Sequence, residues 1–200
     1  MTDARTADEI DVRSIPKPQR HQVIHRAYAA LAIGESFVLL NDHEPKHLLD
    51  EFELEYPASY SWESEAGEAA DYRVRITKLA RTALPRVVAR TNAVIDSAQP
   101  DAAGSIWHLA PAARELDSNI VALAAGAEIR AHDGPDLDVM FLVLAGSGEL
   151  ETELTTVILQ PGEIVWLPKS SRRRILAGSE GLRYLTVHAR KPTLNLMAGF

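Results

Sequence analysis

Residues 126–146 read GAEIRAHDGPDLDVMFLVLAG and residues 162–177 read GEIVWLPKSSRRRILA, and these two stretches decide the fold of the second half of the chain. In the first stretch five residues separate the opening glycine from His132, and in the second five residues separate the opening glycine from Pro168. The apolar run VMFLVLA has the length of a buried strand. Short strands between Gly and Pro turns favour a closed all-β sandwich or barrel over residues 105–191.

The spacing resembles the two motifs of the cupin barrel, G-x5-H-x-H-x3–4-E-x6-G and G-x5-P-x-G-x2-H-x3-N. Four of those positions, three histidines and the glutamate, hold the metal in metallo-cupins. Here only His132 remains, because the second histidine position is Gly134 and the second-motif histidine position is Arg173. The glutamate position is Val139, with Asp138 one residue earlier. The resemblance implies a double-stranded β-helix (jelly-roll) barrel whose metal site is degenerate.

An arginine inside such a barrel suggests a use of the cavity without a metal. Strand alternation makes Arg173 face opposite to both of its arginine neighbours. It either pairs with Asp136, Asp138 or Glu128 as a cross-link, or it holds a carboxylate or phosphate ligand bidentately. The residues expected to line a ligand site are His132, Asp138, Trp166, Arg173 and Tyr184.

The first half of the chain alternates strand-like and helix-like patterns in the order βαβαββ, which predicts an α/β sandwich of two layers. Asn41 to Pro45 has helix-start chemistry, a capping side chain followed by a proline in the first turn. The expected elements are a strand at 10–13, a helix at 16–31, a strand at 35–40, a helix after 45 and a hairpin formed by 60–64 and 71–78.

Several short motifs in this half occur in the order of a bacterial domain family of unknown function that is related to the TusA/SirA sulfur-carrier fold. They are EIDVR at 9–13, PKP at 16–18, RH at 20–21, GES at 34–36, NDHEP at 41–45, SWE at 61–63 and RVRI at 73–76. The resemblance covers residues 9–78. Sulfur carriers place a cysteine just before the first helix, where this chain has Ile15, and the chain contains no cysteine. Sulfur relay is therefore excluded by chemistry.

A histidine set marks the same half. His21 and His25 are four residues apart on the first helix, a spacing that puts both on one helix face. If the two helices converge at their N-termini, an anion or metal pocket forms there. Alternatively, His21 borders an apolar helix face and His43 belongs to a helix cap. The pocket residues would be Arg20, His21, Asn41, Asp42 and His43.

Residues 79–104 are expected to link the two domains. Leu79 to Asp96 could form a helix interrupted at Pro85, and a polar loop containing Pro and Gly follows at 97–104.

Composition limits the function. The net charge of −7 is concentrated in residues 1–80, and no clustered basic face indicates nucleic-acid binding. No apolar stretch reaches the roughly 20 residues that span a bilayer. With no cysteine and no leader-like start, we expect a cytoplasmic protein that binds neither nucleic acid nor membrane.

The sequence thus predicts an α+β protein of two domains that binds a small molecule, with an anion as one candidate, without catalysis. It is expected to need no cofactor and to form a homodimer. One alternative is a metal-dependent oxygenase or isomerase that holds Fe, Mn, Ni or Zn through His132, Asp138 and His188. A second alternative is a metal-binding module in the first domain with His21 and His43 as ligands.

Overall fold

The computed structural model describes residues 8–65 and 71–191, and the chain forms two compact units, Met1–Arg86 and Val87–Phe200. The first unit contains a four-stranded sheet in the order β1-β2-β4-β3, in which β1 and β2 are parallel and the other neighbours antiparallel. Its elements are β1 (Asp8–Asp11), α1 (Lys17–Ala30), β2 (Ser36–Asn41), α2 (Lys46–Glu55), β3 (Tyr60–Glu65) and β4 (Tyr72–Lys78). The predicted βαβαββ order is confirmed.

The core of the first unit lies between the two helices and one face of the sheet. Phe37 and Leu39 of β2 alternate in the way a strand requires, and they share one buried cluster with Phe52 of α2. The Phe52 ring packs edge-on against Tyr28 at 5.0 Å and against Trp62 at 5.7 Å between ring centroids. This aromatic packing fixes how α1 and α2 lie beside each other.

The predicted start of α2 is wrong in one respect. Pro45 itself occupies the N-cap position, and no side chain caps the helix. Asn41 ends β2 and donates its amide to the His43 carbonyl oxygen at 2.9 Å, whereas Asp42 binds Arg20. These side chains are therefore engaged in contacts other than the expected cap.

The second unit is mostly β-sheet. Strands run in the order β10-β8-β11-β6-β5, and β7 pairs with β11 while β9 pairs with β8. Its elements are α3 (Thr91–Ser97), β5 (Gly104–His108), β6 (Leu116–Leu123), β7 (Glu128–Asp133), β8 (Val139–Glu151), β9 (Thr156–Leu159), β10 (Ile164–Leu167) and β11 (Arg172–Ala189). The predicted limits of the two domains and their linker remain predictions.

The helix expected from Leu79 to Asp96 is wrong over most of its length, because only Thr91–Ser97 is helical there. Pro85 disfavours helical geometry in the residue before it and cannot donate a backbone hydrogen bond. Val87 and Val88, which are β-branched, follow and are exposed, so no buried face stabilises a helix. Among the described residues, no helix is long and apolar enough to cross a membrane.

Candidate functional site

Three consecutive arginines begin β11, and the structure gives them different surroundings. Arg172 lies on the surface and binds Asp133 at 3.2 Å. Arg174 binds both Glu128 and Glu151, the latter at 2.6 Å. Arg173 points the other way and is only 6% exposed. The predicted alternation of the three side chains is therefore what the strand shows.

Arg173 has no carboxylate partner among the described residues. Within the described part of the chain its side chain makes one hydrogen bond, donated from Nη1 to Ser171 Oγ at 2.9 Å. Burial lowers the pKa of Arg173, whereas Glu128 and Glu151 raise the pKa of Arg174. A guanidinium stays charged at any pH a protein experiences. The buried positive charge of Arg173 thus forms no ion pair with any described residue.

The internal cross-link considered from the sequence is not formed. Asp138 Oδ1 accepts the Lys169 backbone N–H at 2.9 Å, and Asp136 lies 3.9 Å from Lys169 Nζ. Glu128, the third expected partner, accepts from Arg174. The sequence could not decide this, because strand alternation gives the direction of a side chain and not its partner.

The Arg173 guanidinium lies over Gly134. A Cβ atom added to Gly134 would lie 2.0 Å from Nη2 and 2.5 Å from Cζ of Arg173. These separations are far below van der Waals contact, so the guanidinium occupies the volume of the side chain that Gly134 lacks. Gly134 and Arg173, which lie far apart in the sequence, are therefore in direct contact.

His132 is paired directly with Arg173 across β7 and β11. Residues opposite each other in an antiparallel pair share one face of the sheet. The His132 ring is exposed and its Nδ1 lies 2.8 Å from the Arg130 carbonyl oxygen. The structure therefore brings His132 and Arg173 onto the same face, with Gly134 close to both.

Tyr184 and Trp166, both predicted to line the ligand site, lie in different surroundings. Tyr184 is buried and stacks on Phe141 with ring centroids 4.1 Å apart, and burial raises its pKa to about 12. Trp166 is 61% exposed and pairs with Met140, which is also exposed. Phe141, the next residue after Met140, faces inward, so Met140 and Trp166 face outward. Trp166 thus lies on the opposite face of the sheet from Tyr184 and is not positioned to line the same site.

The residues considered as metal ligands are not gathered into a ligand set. In the described part of the chain, no three His, Asp or Glu side chains are placed to hold one metal ion. His188 Nδ1 lies 2.9 Å from the Ala189 carbonyl oxygen, and His21 lies against Glu51. The geometry does not favour either metal alternative.

The predicted pocket of the first unit centres on Arg20, which is 7% exposed. Its guanidinium donates to Asn41 Oδ1 at 3.1 Å, to both carboxylate oxygens of Asp42 at 2.8 and 3.2 Å, and to the backbone carbonyls of Arg13 and Ile15. All of its donor atoms have partners. Arg20 is thus a fixed cross-link between the start of α1 and the end of β2.

Asp42, which accepts from Arg20, also forms a hydrogen bond with His43. His43 Nδ1 lies 2.5 Å from Asp42 Oδ1, and the hydrogen bonds from Arg20 and His43 hold the pKa of Asp42 far below its usual value. Because the carboxylate is ionised and accepts, the His43 Nδ1 carries a proton and donates. Four of the five predicted pocket residues therefore form one network.

His21, the fifth, has a different partner. Its Nδ1 lies 2.9 Å from Glu51 Oε1, and His25 Nε2 lies 3.0 Å from Glu51 Oε2. Burial raises the pKa of Glu51, but hydrogen bonds from His25 and His21 outweigh it and leave that pKa lowered. The sequence analysis did not identify Glu51. Its helix spacing from Leu48 and Phe52, which form the buried face of α2, is the feature that could have indicated it.

A cavity of about 180 Å³ lies beside this network. Buried apolar side chains form its floor, including Val12, Ile24 and Leu48. Its polar lining consists of Lys17, Arg20, His21, Asn41, His43, Glu44, Lys46 and His47. Residues from the starts of both helices therefore line one cavity, an arrangement that the sequence left open.

Residues 9–78 match a family described as Uncharacterized conserved protein (DUF2249). The comparison with curated proteins finds no match.

Cupin proteins are among the similar solved structures, all with low identity. One is a cupin-2 domain protein from Shewanella frigidimarina (20% identity, TM-score 0.42, 52% of this chain and 95% of that chain). Another is a cupin 2 conserved barrel domain protein from Salinispora arenicola (19%, 0.37, 41% and 71%). The polyketide cyclase RemF from Streptomyces resistomycificus is also similar (18%, 0.39, 44% and 65%).

Proposed function

We propose that the second unit is a cupin-type, metal-independent binding module for a small anionic molecule, within a ligand-binding or regulatory protein that is not an enzyme. The observation that carries the proposal is the Arg173 guanidinium, which is 6% exposed and has no carboxylate partner among the described residues. Burying an unpaired charge is unfavourable. A bound carboxylate or phosphate would supply the missing partner.

The free donors of Arg173 indicate how the ligand would bind. Nη1 donates to Ser171, whereas Nε and Nη2 have no hydrogen-bond partner in the described part of the chain. This edge of the guanidinium carries two parallel N–H groups, and it matches the two oxygens of a carboxylate or phosphate. His132 lies on the same face, and its Nδ1 donates to the Arg130 carbonyl oxygen, so its Nε2 would accept a hydrogen bond from a hydroxyl group of the ligand.

In this proposal Arg173 supplies the positive charge that a metal ion supplies in metallo-cupins. Gly134 leaves the room that the guanidinium needs, and Asp138 remains at the rim, where it binds the Lys169 backbone. Trp166 is left out of the ligand site. The site would therefore recognise charge and planarity without a bound ion.

We further propose that the first unit has a TusA/SirA-like fold without sulfur-relay chemistry, and that the chain forms a homodimer through the exposed apolar face of the second unit. On that face Trp166 pairs with Met140 and Ile164 pairs with Leu142, and no charged residue interrupts these two pairs. Exposed apolar patches of this kind are typical of protein interfaces.

The test uses the whole chain with sodium acetate and inorganic phosphate as probes, followed by NMR of the arginine side-chain N–H signals. The Arg173 signal, assigned by its loss in Arg173→Lys, is expected to shift saturably with acetate. Arg173→Ala should reduce acetate affinity at least about tenfold, since hydrogen bonds to charged groups are worth about 1.5–3 kcal/mol. Arg172→Ala, which removes the neighbouring surface arginine, should leave the affinity unchanged.

Two results would overturn the proposal. One is unchanged acetate affinity in Arg173→Ala, and the other is the absence of any response of the Arg173 signal to both probes. Binding that disappears with a chelator and returns with Fe, Mn, Ni or Zn would support the metal-dependent enzyme instead.

A further inference from the structure

The cavity of the first unit has a lining whose acidic groups are already neutralised. Asp42 beside the cavity is bound by Arg20 and His43, and Glu44 lies 3.2 Å from Lys46 Nζ. Both side chains of the Lys46–Glu44 pair are well exposed, so solvent screens the pair and Lys46 can turn toward another anion at little cost.

Two further polar side chains of the lining are donors without partners. The side chains of Lys17 and His47 make no hydrogen bond or ion pair with any described residue. Nε2 of His43 also has no partner among the described residues, but it is an acceptor, because Nδ1 carries the proton. Lys17 and Lys46 are the first residues of α1 and α2, and neither first turn contains an acidic side chain. The cavity therefore has an excess of positive charge and of available donors.

The wall that carries His43 is rigid. Arg20 is held by two backbone carbonyls and by Asn41, so it fixes Asp42, and Asp42 in turn fixes the His43 ring through Nδ1. A group positioned in this way is preorganised, because it need not be ordered when a ligand binds. The floor of the cavity is apolar and excludes water from beneath a bound group.

We propose that this cavity is a second binding site, independent of Arg173, and that it takes a tetrahedral oxyanion of the phosphate class. Lys17, Lys46 and His47 contact the oxyanion from the rim, and Nε2 of His43, on the fixed wall, accepts the O–H of a hydrogen phosphate because Nδ1 carries the ring proton. The cavity volume of about 180 Å³ has room for several water molecules, which is enough for a phosphate group. It is smaller than the roughly 300–1,000 Å³ of sites for larger ligands.

The phosphate comes either as the free ion or as the terminal group of a phosphomonoester. Because the cavity opens to solvent on its basic rim, an ester substituent has an exit there. Inorganic phosphate and methyl phosphate distinguish the two sources. Equal affinity indicates that the phosphate group alone is recognised, and this is the expected result.

The experiment measures phosphate binding to the whole chain by isothermal titration in an Arg173→Ala background, so that the second unit's proposed site does not contribute. We expect saturable binding, and a loss of affinity of at least about tenfold when Lys17→Ala and His47→Ala are combined, because two charge-assisted contacts are removed. The matched control is Arg26→Ala, which removes an exposed charge from α1 at a position outside the cavity lining.

Three outcomes would overturn the proposal: no saturable phosphate binding in the Arg173→Ala protein, unchanged affinity in the Lys17→Ala, His47→Ala double variant, or an equal loss in Arg26→Ala. Lys17, His47 and Arg26 are exposed, so their replacement should not disturb the fold, and circular dichroism of each variant and of the Arg173→Ala background checks this. Failure here leaves the Arg173 site untouched, because acetate binding by the unmodified chain tests that site separately.

Discussion

Replacing Gly134 with alanine tests whether the guanidinium of Arg173 is a binding group. The added methyl carbon would lie 2.0 Å from Nη2, and ordinary contact begins at 3.4 Å, so the guanidinium must move by about 1.4 Å. Charge-assisted hydrogen bonds are made at about 2.7–2.9 Å, and a shift of this size breaks them. A loss of about 1.5–3 kcal/mol corresponds to an affinity for acetate lowered about 10- to 100-fold.

The same change should have little effect on folding. The atoms that must move belong to the far end of a flexible side chain, so the cost falls below the roughly 1–3 kcal/mol usual for overpacking. For a unit of this size, about 1 kcal/mol shifts Tm by about 4–8 °C. We therefore expect a small shift of Tm together with a large loss of acetate binding.

The assay combines acetate titration followed by NMR with thermal unfolding of four proteins: the unmodified chain, Gly134→Ala, Arg173→Ala and the double variant. In the Arg173→Ala background, the alanine at position 134 meets no guanidinium, so its stability cost should disappear. Unchanged acetate affinity in Gly134→Ala would refute the reasoning. So would a stability cost that persists when Arg173 is absent.

Three further predictions concern the packing, the pH dependence and the assembly of the chain. Phe52→Ala should destabilise the first unit by about 3–5 kcal/mol in urea unfolding, because its ring is fully buried, whereas Leu54→Ala on the exposed side of α2 should cost less than about 0.5 kcal/mol. Since the pKa of Glu51 is lowered in the folded state, its stabilisation is present above the unfolded pKa and is lost as the pH falls through the folded value. The urea concentration at the midpoint of unfolding should therefore fall between pH 7 and pH 3.5, and it should fall less in Glu51→Gln than in the unmodified chain. An equal fall in both proteins would contradict the lowered pKa of Glu51. Trp166→Glu should convert the proposed dimer to monomer in sedimentation velocity, whereas Leu154→Ser, also at an exposed apolar position, should not; monomeric unmodified protein would refute the dimer.

The element order of the first unit could be predicted because local signals agree with the tertiary packing. Alternation places Val74 and Ile76 on the inner face of β4, and helix spacing places Leu48 and Phe52 on the inner face of α2. The start of α2 and the extent of α3 could not be predicted from local signals. In both cases a capping or helix-forming sequence is present, but tertiary contacts or a missing buried face decide otherwise.

In the candidate sites, too, local sequence predicts some features and tertiary contacts decide the others. Strand alternation predicts that Arg173 faces opposite to its two arginine neighbours, but only the packing shows that Arg173 is the buried one. The gathering of Arg20, Asn41, Asp42 and His43 depends on two helices that start beside each other, which the sequence left open. The partner of each side chain depends on contacts far apart in sequence. For that reason neither the pairing of His21 with Glu51 nor the overlap of the guanidinium with the space above Gly134 was predicted.

The Arg173 guanidinium fills the space that a side chain at position 134 would need. Replacing both residues with histidine should therefore restore the metal ligands that the motif resemblance implies are missing. In Gly134→His, Arg173→His the guanidinium is gone, so an imidazole at 134 has space, and His132 lies directly across from position 173. Three imidazoles on one face are a usual ligand set for a divalent ion with an open position. We expect the double variant to bind Ni²⁺ or Zn²⁺ about stoichiometrically in isothermal titration. Gly134→His alone should bind neither ion and should be destabilised, because the new ring and the guanidinium overlap. A double variant that folds but binds no metal would show that position 173 does not converge with positions 132 and 134, and the place assigned to Arg173 in the second unit would then be wrong.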